Sequence, residues 1–278
     1  MTDIGTEAAS DRDGPGAVVV TGAASGIGEA ISIRLADCGY QVFCVDLVES
    51  SGSDSFVSIR CDVTDNDSVD AMAEIVRNSG IPVAGIVNSA GIAGAGPLMD
   101  CSDDELLRNF QVNALGTFRV IKALFPALLE SRGRIINITS LSGLFEFPFV
   151  GPYVMSKHAA EAMSICLRRE FSHLGISVST IAPGKVVTPL LDKARILGSE
   201  KLESISEHFR ERAQRYSRYD AERTRTNAVP PERVADVTLH ALTSRRPRRR
   251  YYPVRHPLRT RLFLRLSQRT LDRIMNRI

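Results

Sequence analysis

Tryptophan is absent from this 278-residue chain, and so are internal repeats, low-complexity tracts and long apolar runs. Because no run of about eighteen apolar residues occurs, we expect no membrane-spanning helix. The five cysteines are odd in number and show no Cys-x-x-Cys spacing, which argues against a disulfide framework or a metal site. The sequence therefore predicts buried free thiols in a reducing compartment, and we expect a cytoplasmic protein.

The two ends of the chain differ in charge and composition. Residues 1–16 are acidic and rich in small residues without the apolar core of a signal peptide, so we expect a disordered N-terminus. Residues 245–278 contain twelve arginines and one acid, a net charge of +11, so the preceding part carries −8 of the total +3. The chain therefore has an acidic body and a basic tail.

Short apolar runs alternate with helical patterns between residues 17 and 254. The predicted strands are 17–21, 41–45, 57–60, 86–87, 134–138 and 176–181, and the predicted helices are 26–38, 65–79, 103–131 and 153–173. Alternation of this kind is typical of βαβ units with right-handed crossovers. We therefore predict an α/β fold: a single doubly wound parallel sheet with helices on both faces.

A glycine-rich turn follows the first predicted strand and opens a helix. Its glycines are Gly22, Gly26 and Gly28. Small residues in this position let the backbone approach a pyrophosphate, which the free N–H groups of the helix N-terminus stabilise. A tight strand-to-helix turn without any ligand is the alternative interpretation.

Asp46 ends the second predicted strand, eighteen positions after Gly28. A carboxylate in this position accepts hydrogen bonds from the adenosine ribose hydroxyls and repels a 2′-phosphate. Residues 23–27 and Leu47 include no arginine or lysine. The pattern favours NAD over NADP, although a solvated loop acid would look the same.

Tyr153 and Lys157 are four positions apart in a predicted helix, and their side chains therefore share one face. A free phenol has a pKa of about 10. An adjacent ammonium favours the phenolate, so we expect Lys157 to lower the pKa of Tyr153 toward neutrality. The spacing is common by chance, and two residues on one helix face are the alternative.

Taken in order and at these intervals, the motifs resemble the short-chain dehydrogenase/reductase family over about residues 17–242. The matching residues are Thr21, Gly22, Gly26, Gly28, Asp62, Asn88 to Gly91, Asn113, Ser140, Tyr153, Lys157 and Pro183 to Thr188. One departure is Ser89, where the family has a second asparagine. The resemblance implies a Rossmann-like domain over residues 17–254, a homodimer or homotetramer, and a steroid- or retinol-dehydrogenase-like protein with a basic C-terminal extension.

The resemblance also implies four catalytic roles. Tyr153 would exchange a proton with the substrate oxygen, and Lys157 would lower its pKa and hold the nicotinamide ribose. Ser140 would orient the substrate, and Asn113 would hold a water beside Lys157.

Cofactor contacts follow from the same resemblance. They are Gly22, Ser25, Gly26, Ile27, Gly28, Asp46, Leu47, Asp62, Val63, Asn88, Ala90, Gly91, Tyr153, Lys157, Pro183, Gly184, Val186 and Thr188. Thr188 would contact the nicotinamide, and it could also cap the following helix.

Three polar neighbours compete for catalytic roles. Thr139 precedes Ser140 on a strand and should point to the opposite face. Ser142 has the wrong interval to Tyr153. His158 points about 100° away from Lys157 on a helix, so we interpret it as structural.

The loop between Ser140 and Tyr153 alternates three phenylalanines, of which Phe145 is the first. With Ser140 and Tyr153, Phe145 is predicted to contact the substrate as an apolar pocket wall. Packing into the core or a subunit interface is the alternative.

Residues 190–229 are rich in charge and are predicted to form a mobile lid rather than a packed helix.

Residues 255–278 combine an apolar stripe with arginines that recur every four residues. This pattern predicts a basic amphipathic helix. It could contact an anionic membrane surface peripherally, on the inner face, or pack over the substrate cleft or a subunit contact. No recognition motif accompanies the arginines, so we expect no nucleic-acid binding.

These observations predict an NAD(H)-dependent oxidoreductase that interconverts a secondary alcohol and a ketone on a lipophilic substrate of steroid, retinoid or fatty type. An acyl-carrier or acyl-CoA ketoreductase is the alternative among enzymes. A nucleotide-binding regulator without turnover is the alternative outside enzymes. No metal is expected.

Overall fold

A computed structural model describes residues 15–49 and 56–277. The predicted disorder of the N-terminus therefore falls almost wholly outside the described residues, as does Ile278 of the tail stripe. All strands of the described sheet run parallel, in the order β3-β2-β1-β4-β5-β6-β7. They are β1 Ala17–Thr21, β2 Gln41–Asp46, β3 Phe56–Arg60, β4 Val83–Asn88, β5 Arg134–Ile138, β6 Ser177–Ile181 and β7 Arg250–Tyr251.

Helices cover both faces of the sheet. They are α1 Gly26–Ala36, α2 Asn66–Asn78, α3 Asp103–Phe110, α4 Thr117–Ser131, α5 Gly151–Glu170, α6 Pro189–Ser204, α7 Glu207–Asn227, α8 Glu232–Thr243, α9 Pro257–Phe263 and α10 Gln268–Met275. In β1, Val19 packs with α2, α4 and α5, whereas Val18 and Val20 pack with α1 and α8. The alternation of strand side chains thus supplies two apolar cores, one on each face, and the predicted α/β fold is confirmed.

The strands and helices predicted from the sequence begin and end, in most cases, within a few residues of those in the structure. Asp65 caps α2, because its side chain accepts a hydrogen bond from the Asp67 N–H at 3.1 Å. The predicted helix 103–131 is interrupted by a π-helical turn, Gln111–Gly116, between α3 and α4.

The helical stretch Asp103–Ser131 is long and apolar enough to cross a membrane by length and composition alone. We expected no such helix from the absence of a long apolar run. Val120, Ile121, Leu124 and Leu128 of this stretch are buried against the sheet. A core helix of a water-soluble domain has the same properties, so the finding is weak support for a membrane span.

Residues 190–229, predicted as a mobile lid rather than a packed helix, form α6 and α7. Ala213 and Tyr216 of α7 are buried, and the ring centroid of Tyr216 lies 5.5 Å from that of Phe149. The prediction about local structure was wrong because these residues, three positions apart, form one packed face among the arginines.

The basic tail is two short helices, α9 and α10, rather than the single predicted helix. Ser267 begins the second helix, since its hydroxyl accepts a hydrogen bond from the Thr270 N–H. Leu271 and Met275 are buried against Phe145. The apolar stripe of α10 is therefore covered by this chain's own phenylalanine loop.

All five cysteines are free, but the prediction of burial holds for only part of the set. Cys44 and Cys61 are buried, whereas Cys38 and Cys166 are exposed and Cys101 is half-buried. The two exposed thiols lie at the end of α1 and on the outer face of α5.

The packing of α10 on Phe145 makes a testable contribution to stability. Leu271→Ala removes a side chain that is 7% exposed, and we expect the free energy of unfolding to fall by about 2–3 kcal/mol. Leu258→Ala in α9 is the control, because that leucine is 80% exposed. Urea denaturation measures both; equal losses would contradict a packed tail.

Candidate active site

The carboxyl ends of β1 and β4 open a cleft of about 730 Å³ where the strand order reverses. Open parallel sheets bind ligands at this switch point, because the loops from the two strands lead in opposite directions. The cleft runs from Asp46 and Asp62 at one end to Tyr153 and Lys157 at the other. Its volume is within the range of about 300–1,000 Å³ typical of cofactor sites.

The glycine-rich turn shapes the middle of the cleft. Gly22 and Gly26 have φ angles of 68° and 60°, which favour glycine. A Cβ on Gly28 would lie 2.0 Å from the Gly22 carbonyl oxygen, so only glycine fits at this position in the first turn of α1. Ser25 precedes α1 but makes no side-chain capping hydrogen bond. The helix N-terminus therefore offers its N–H groups to an anion, as a pyrophosphate site requires.

Asp46 lines the cleft at the end of β2 and is held in position by backbone donors. Its carboxylate accepts hydrogen bonds from the Ala24 N–H at 3.0 Å and the Leu47 N–H at 2.7 Å. No ion pair involves this carboxylate within the described residues. The negative charge consequently remains available to a group bound in the cleft.

Asp62 and Val63, which were predicted to contact the cofactor, form the neighbouring wall of the cleft. One oxygen of Asp62 accepts hydrogen bonds from the backbone and hydroxyl of Thr64, at 2.8 and 2.7 Å. The wall also contains Arg119, which sequence reasoning missed; its guanidinium donates to Asn66 and Gln111. Arg119 thus ties α4 to the loop before α2 and supports the wall.

Ser140 and Tyr153 form the reactive end of the site. The two side chains line the smaller cavity together, and the Ser140 hydroxyl accepts a hydrogen bond from the Ser142 N–H at 3.1 Å. Burial raises the pKa of Tyr153, and the polar Ser140 side chain opposes this rise. The direction is opposite to our prediction, because loss of water around the phenol outweighs any stabilisation of the phenolate.

Lys157 is 5% exposed and lies 5.8 Å from the centroid of the Tyr153 ring. Its ammonium donates a hydrogen bond to the Ile138 carbonyl at 3.1 Å. Burial lowers the pKa of Lys157 to about 8, while the charge of Glu161 opposes that fall. The lysine is therefore poised to change charge close to neutral pH.

Glu161, one helical turn beyond Lys157, is a buried acid that sequence reasoning missed. Its carboxylate accepts hydrogen bonds from Thr139 and Arg250, both at 2.6 Å. Through these contacts α5 is fastened to β5 and β7. The only available signal was the position of the acid on the same helix face as Tyr153 and Lys157.

Asn113 lies in the π-helical turn and is buried behind the cleft. Its amide accepts a hydrogen bond from the Ile92 N–H at 2.8 Å and donates to the Ser156 hydroxyl at 2.9 Å. The side chain therefore joins the loop after β4 to α5. The predicted role in holding a water remains a prediction.

A second cavity, of about 170 Å³, adjoins the cleft at Tyr153 and Thr188. Pro183, Gly184 and Val186, predicted as cofactor contacts, line this second cavity rather than the cleft. Thr188 lines both. It stands at the start of α6 without a side-chain capping bond, so its hydroxyl is not committed to the helix.

Two predicted contacts lie away from both cavities. Asn88 is buried and donates its amide to Asn137 at 2.8 Å, which couples β4 to β5. Phe145 is buried under Phe263, Leu271 and the rest of the tail cluster, so the prediction of a substrate contact is corrected. Because the phenylalanine loop is a series of turns rather than a strand, Phe147 lines the cavity instead.

The other predicted cofactor contacts line the cleft together. They are Gly22, Ser25, Gly26, Ile27, Gly28, Leu47, Ala90 and Gly91.

Two of the competing polar residues, Thr139 and Ser142, line the smaller cavity with Ser140. The Thr139 hydroxyl is engaged in a hydrogen bond that it donates to Glu161 at 2.6 Å. His158 bonds the Val154 carbonyl and pairs with Glu146 at 3.2 Å. Across the described residues, no group of three metal-ligating side chains could hold a metal ion.

Comparisons with known proteins agree with this geometry. The family model described as short chain dehydrogenase matches residues 16–196. Retinol dehydrogenase 5 of Mus musculus is 33% identical over 256 residues, covering 85% of this chain and 80% of that protein. Mitochondrial D-beta-hydroxybutyrate dehydrogenase of Bos taurus is 30% identical over 279 residues, with 90% and 80% covered.

Among solved structures, the aldohexose dehydrogenase of Thermoplasma acidophilum superposes with a TM-score of 0.71 at 28% identity, covering 85% of this chain and 91% of that chain. Its fold, like the order of motifs from the glycine turn to Thr188, is that of a nicotinamide-binding oxidoreductase. The chain belongs to the short-chain dehydrogenase/reductase family, and it is of the steroid- and retinol-dehydrogenase-like type.

Proposed function

We propose that this protein is an NAD(H)-dependent oxidoreductase that interconverts a secondary alcohol and a ketone, or an alcohol and an aldehyde. The observation that carries the proposal is the position of Tyr153 where the cleft meets the smaller cavity, with Ser140 in the same cavity wall and Lys157 one helical turn away. A reacting carbon at this junction would face both the cofactor and a proton donor.

Each residue has a separate task in this reaction. The Ser140 hydroxyl hydrogen-bonds the substrate oxygen and orients it. The Tyr153 phenol donates its proton to that oxygen during reduction and takes it back during oxidation. Its raised pKa keeps the phenol protonated at neutral pH, which suits the donating direction. Nicotinamide supplies the hydride chemistry, and the glycine turn, Asp46 and Thr188 would hold the cofactor.

The preference for NAD rests on Asp46. A carboxylate held by two backbone N–H groups cannot easily turn away from a 2′-phosphate, so binding NADP would place two negative charges together. Asp46 would instead accept hydrogen bonds from the ribose hydroxyls of NAD.

A lipophilic substrate of steroid, retinoid or fatty type is supported by the walls of the smaller cavity. Its apolar wall is formed by Leu141, Phe147, Val150, Leu190, Leu191 and Ala194. Among these three classes, the volume of about 170 Å³ favours the fatty type over a fused-ring steroid. An acyl-carrier ketoreductase remains the second candidate, and Asp46 argues against it because biosynthetic reductases use NADPH. A regulator without turnover is disfavoured by the complete catalytic set.

Association with other surfaces is also part of the proposal. A homodimer or homotetramer follows from the family resemblance. Since α10 is packed, peripheral contact with the inner face of a membrane would fall to α9, where Leu258 and Leu262 are exposed beside arginines. We retain a cytoplasmic location.

Tyr153→Phe tests the mechanism. It removes the proton that the substrate oxygen needs, so we expect turnover to fall at least about 100-fold while NAD still binds. Cofactor absorbance on a panel of secondary alcohols and ketones, with NAD and NADP, measures the change. Tyr40→Phe, remote from both cavities, is the control. Equal rates for Tyr153→Phe and wild type would refute the assignment.

Asp46→Asn tests the cofactor preference. The amide keeps the size of the side chain but removes the charge, and we expect the ratio of kcat/KM for NAD to that for NADP to fall about tenfold. Asp37→Asn, exposed at the end of α1, is the control. An unchanged ratio would show that Asp46 does not select the cofactor.

Lys157→Met tests whether burial of the lysine charge carries an energetic cost. The folded protein has a Lys157 pKa near 8, below the 10.5 of the unfolded chain, so the unfolded state binds more protons between these values. Wild type should therefore gain stability relative to Lys157→Met as pH rises from about 8 to 10.5, by up to about 1.4 kcal/mol per unit. Denaturant melts across this range measure the difference; a constant difference would contradict the lowered pKa.

A further inference from the structure

One cation in the wall of the smaller cavity has no acidic partner. Lys185, Asp220 and Arg223 are the charged residues that line it. Lys185 and Asp220 neutralise each other in an ion pair of 2.8 Å. Throughout the described ranges, no carboxylate lies within ion-pair distance of Arg223, and its guanidinium makes no hydrogen bond. The cavity wall therefore carries one uncompensated positive charge.

Aromatic rings hold this guanidinium in place. The central carbon of Arg223 lies 5.2 Å from the ring centroid of Phe147 and 5.6 Å from that of Tyr219. Contacts of this kind stabilise a cation and leave the N–H donors at the guanidinium edge free. Arg223 is half-buried, so these donors are partly shielded from water. The guanidinium therefore has two aromatic contacts but no hydrogen-bond acceptor among the described residues.

The chemistry of the guanidinium indicates which kind of acceptor Arg223 would bind. Five N–H donors in a planar fork match a carboxylate through two parallel hydrogen bonds. The same cavity is also lined by Ser140 and Tyr153, which would bind the reacting oxygen, and by apolar side chains that include Leu141, Val150 and Leu191. We propose that the substrate is a hydroxy acid, or the corresponding oxo acid, whose carboxylate binds Arg223.

This inference rests on the proposed function and narrows it. In the oxidising direction the carbinol carbon would lose a hydride to the nicotinamide of NAD and the hydroxyl would lose its proton to Tyr153, which leaves a carbonyl, and the carboxylate is unchanged. A neutral alcohol of the same length would leave Arg223 without an acceptor. The protein should therefore discriminate between an acid and its ester, although the reacting group is the same in both.

A matched series of substrates tests the proposal. The probes are straight-chain acids with a secondary hydroxyl two to nine carbons from the carboxylate, each paired with its methyl ester. The proteins are wild type, Arg223→Gln, Arg223→Lys and, as control, Arg225→Gln, which alters an exposed arginine of α7 paired with Glu222. Initial rates with NAD give kcat/KM for each pair, and melting curves check folding.

Wild type should prefer the acid at one or more chain lengths. Arg223→Gln should lower kcat/KM for that acid by at least about tenfold and leave the ester unchanged, because a charge-assisted pair is lost. Arg223→Lys should fall between them, since it keeps the charge but not the fork. Arg225→Gln should match wild type. Preference for the ester at every length, or equal losses on acid and ester, would overturn the proposal.

Calorimetric binding of the same acids to the NAD-saturated protein separates this inference from the proposed function. Turnover of neutral alcohols without Arg223-dependent binding of any acid would sustain the oxidoreductase and refute the carboxylate site. Arg223-dependent binding of acids without turnover would sustain the site and refute the reaction. Preference for 3-hydroxyacyl-CoA thioesters over every free acid would refute the site and favour the ketoreductase alternative.

Discussion

The buried carboxylate of Glu161 is the contact on which the geometry of the site depends. It receives Thr139 from the end of β5 and Arg250 from β7, while its own helix carries Tyr153 and Lys157 two turns and one turn earlier. A buried carboxylate is stable only where it keeps its charged and hydrogen-bonding partners, so these contacts fix the position of α5 against the sheet. The position of α5 in turn determines where the Tyr153 phenol and the Lys157 ammonium lie in the cleft.

Burial shifts the pKa values of Tyr153 and Lys157 in the directions opposite to those that their mutual attraction as phenolate and ammonium would give. The pKa of Tyr153 is raised and that of Lys157 is lowered to about 8, so both side chains are shifted toward their neutral forms. The charge of Glu161 limits the shift at Lys157. Loss of water is therefore the dominant influence on both groups, and the acid beneath the lysine moderates it. Glu161 thus fixes the position of α5 and limits the fall in the pKa of Lys157.

Sequence patterns predicted the parts of the molecule that depend on neighbours in the chain. The strands, the glycine turn, the Asp65 cap and the shared face of Tyr153 and Lys157 all follow from local spacing. The contacts of Glu161 and Phe145 could not be predicted, because their partners lie far away; Arg250 is 89 positions beyond Glu161. The break between α9 and α10 was missed for a related reason, since a regular arginine spacing concealed the Ser267 cap.

The match to the family model ends at residue 196, after every residue assigned to the chemistry. Arg223 lies beyond that point, as does the tail that buries Phe145, whose ring in turn lies 4.7 Å from that of Phe147. Three of the twenty-one residues that line the smaller cavity, namely Tyr216, Asp220 and Arg223, thus come from a part of the chain that supplies none of the residues assigned to the chemistry. Substitutions at these three positions would change which molecules fit the cavity and would leave Tyr153, Lys157 and the Glu161–Arg250 contact in place, so closely similar chains can differ in the molecules they act on.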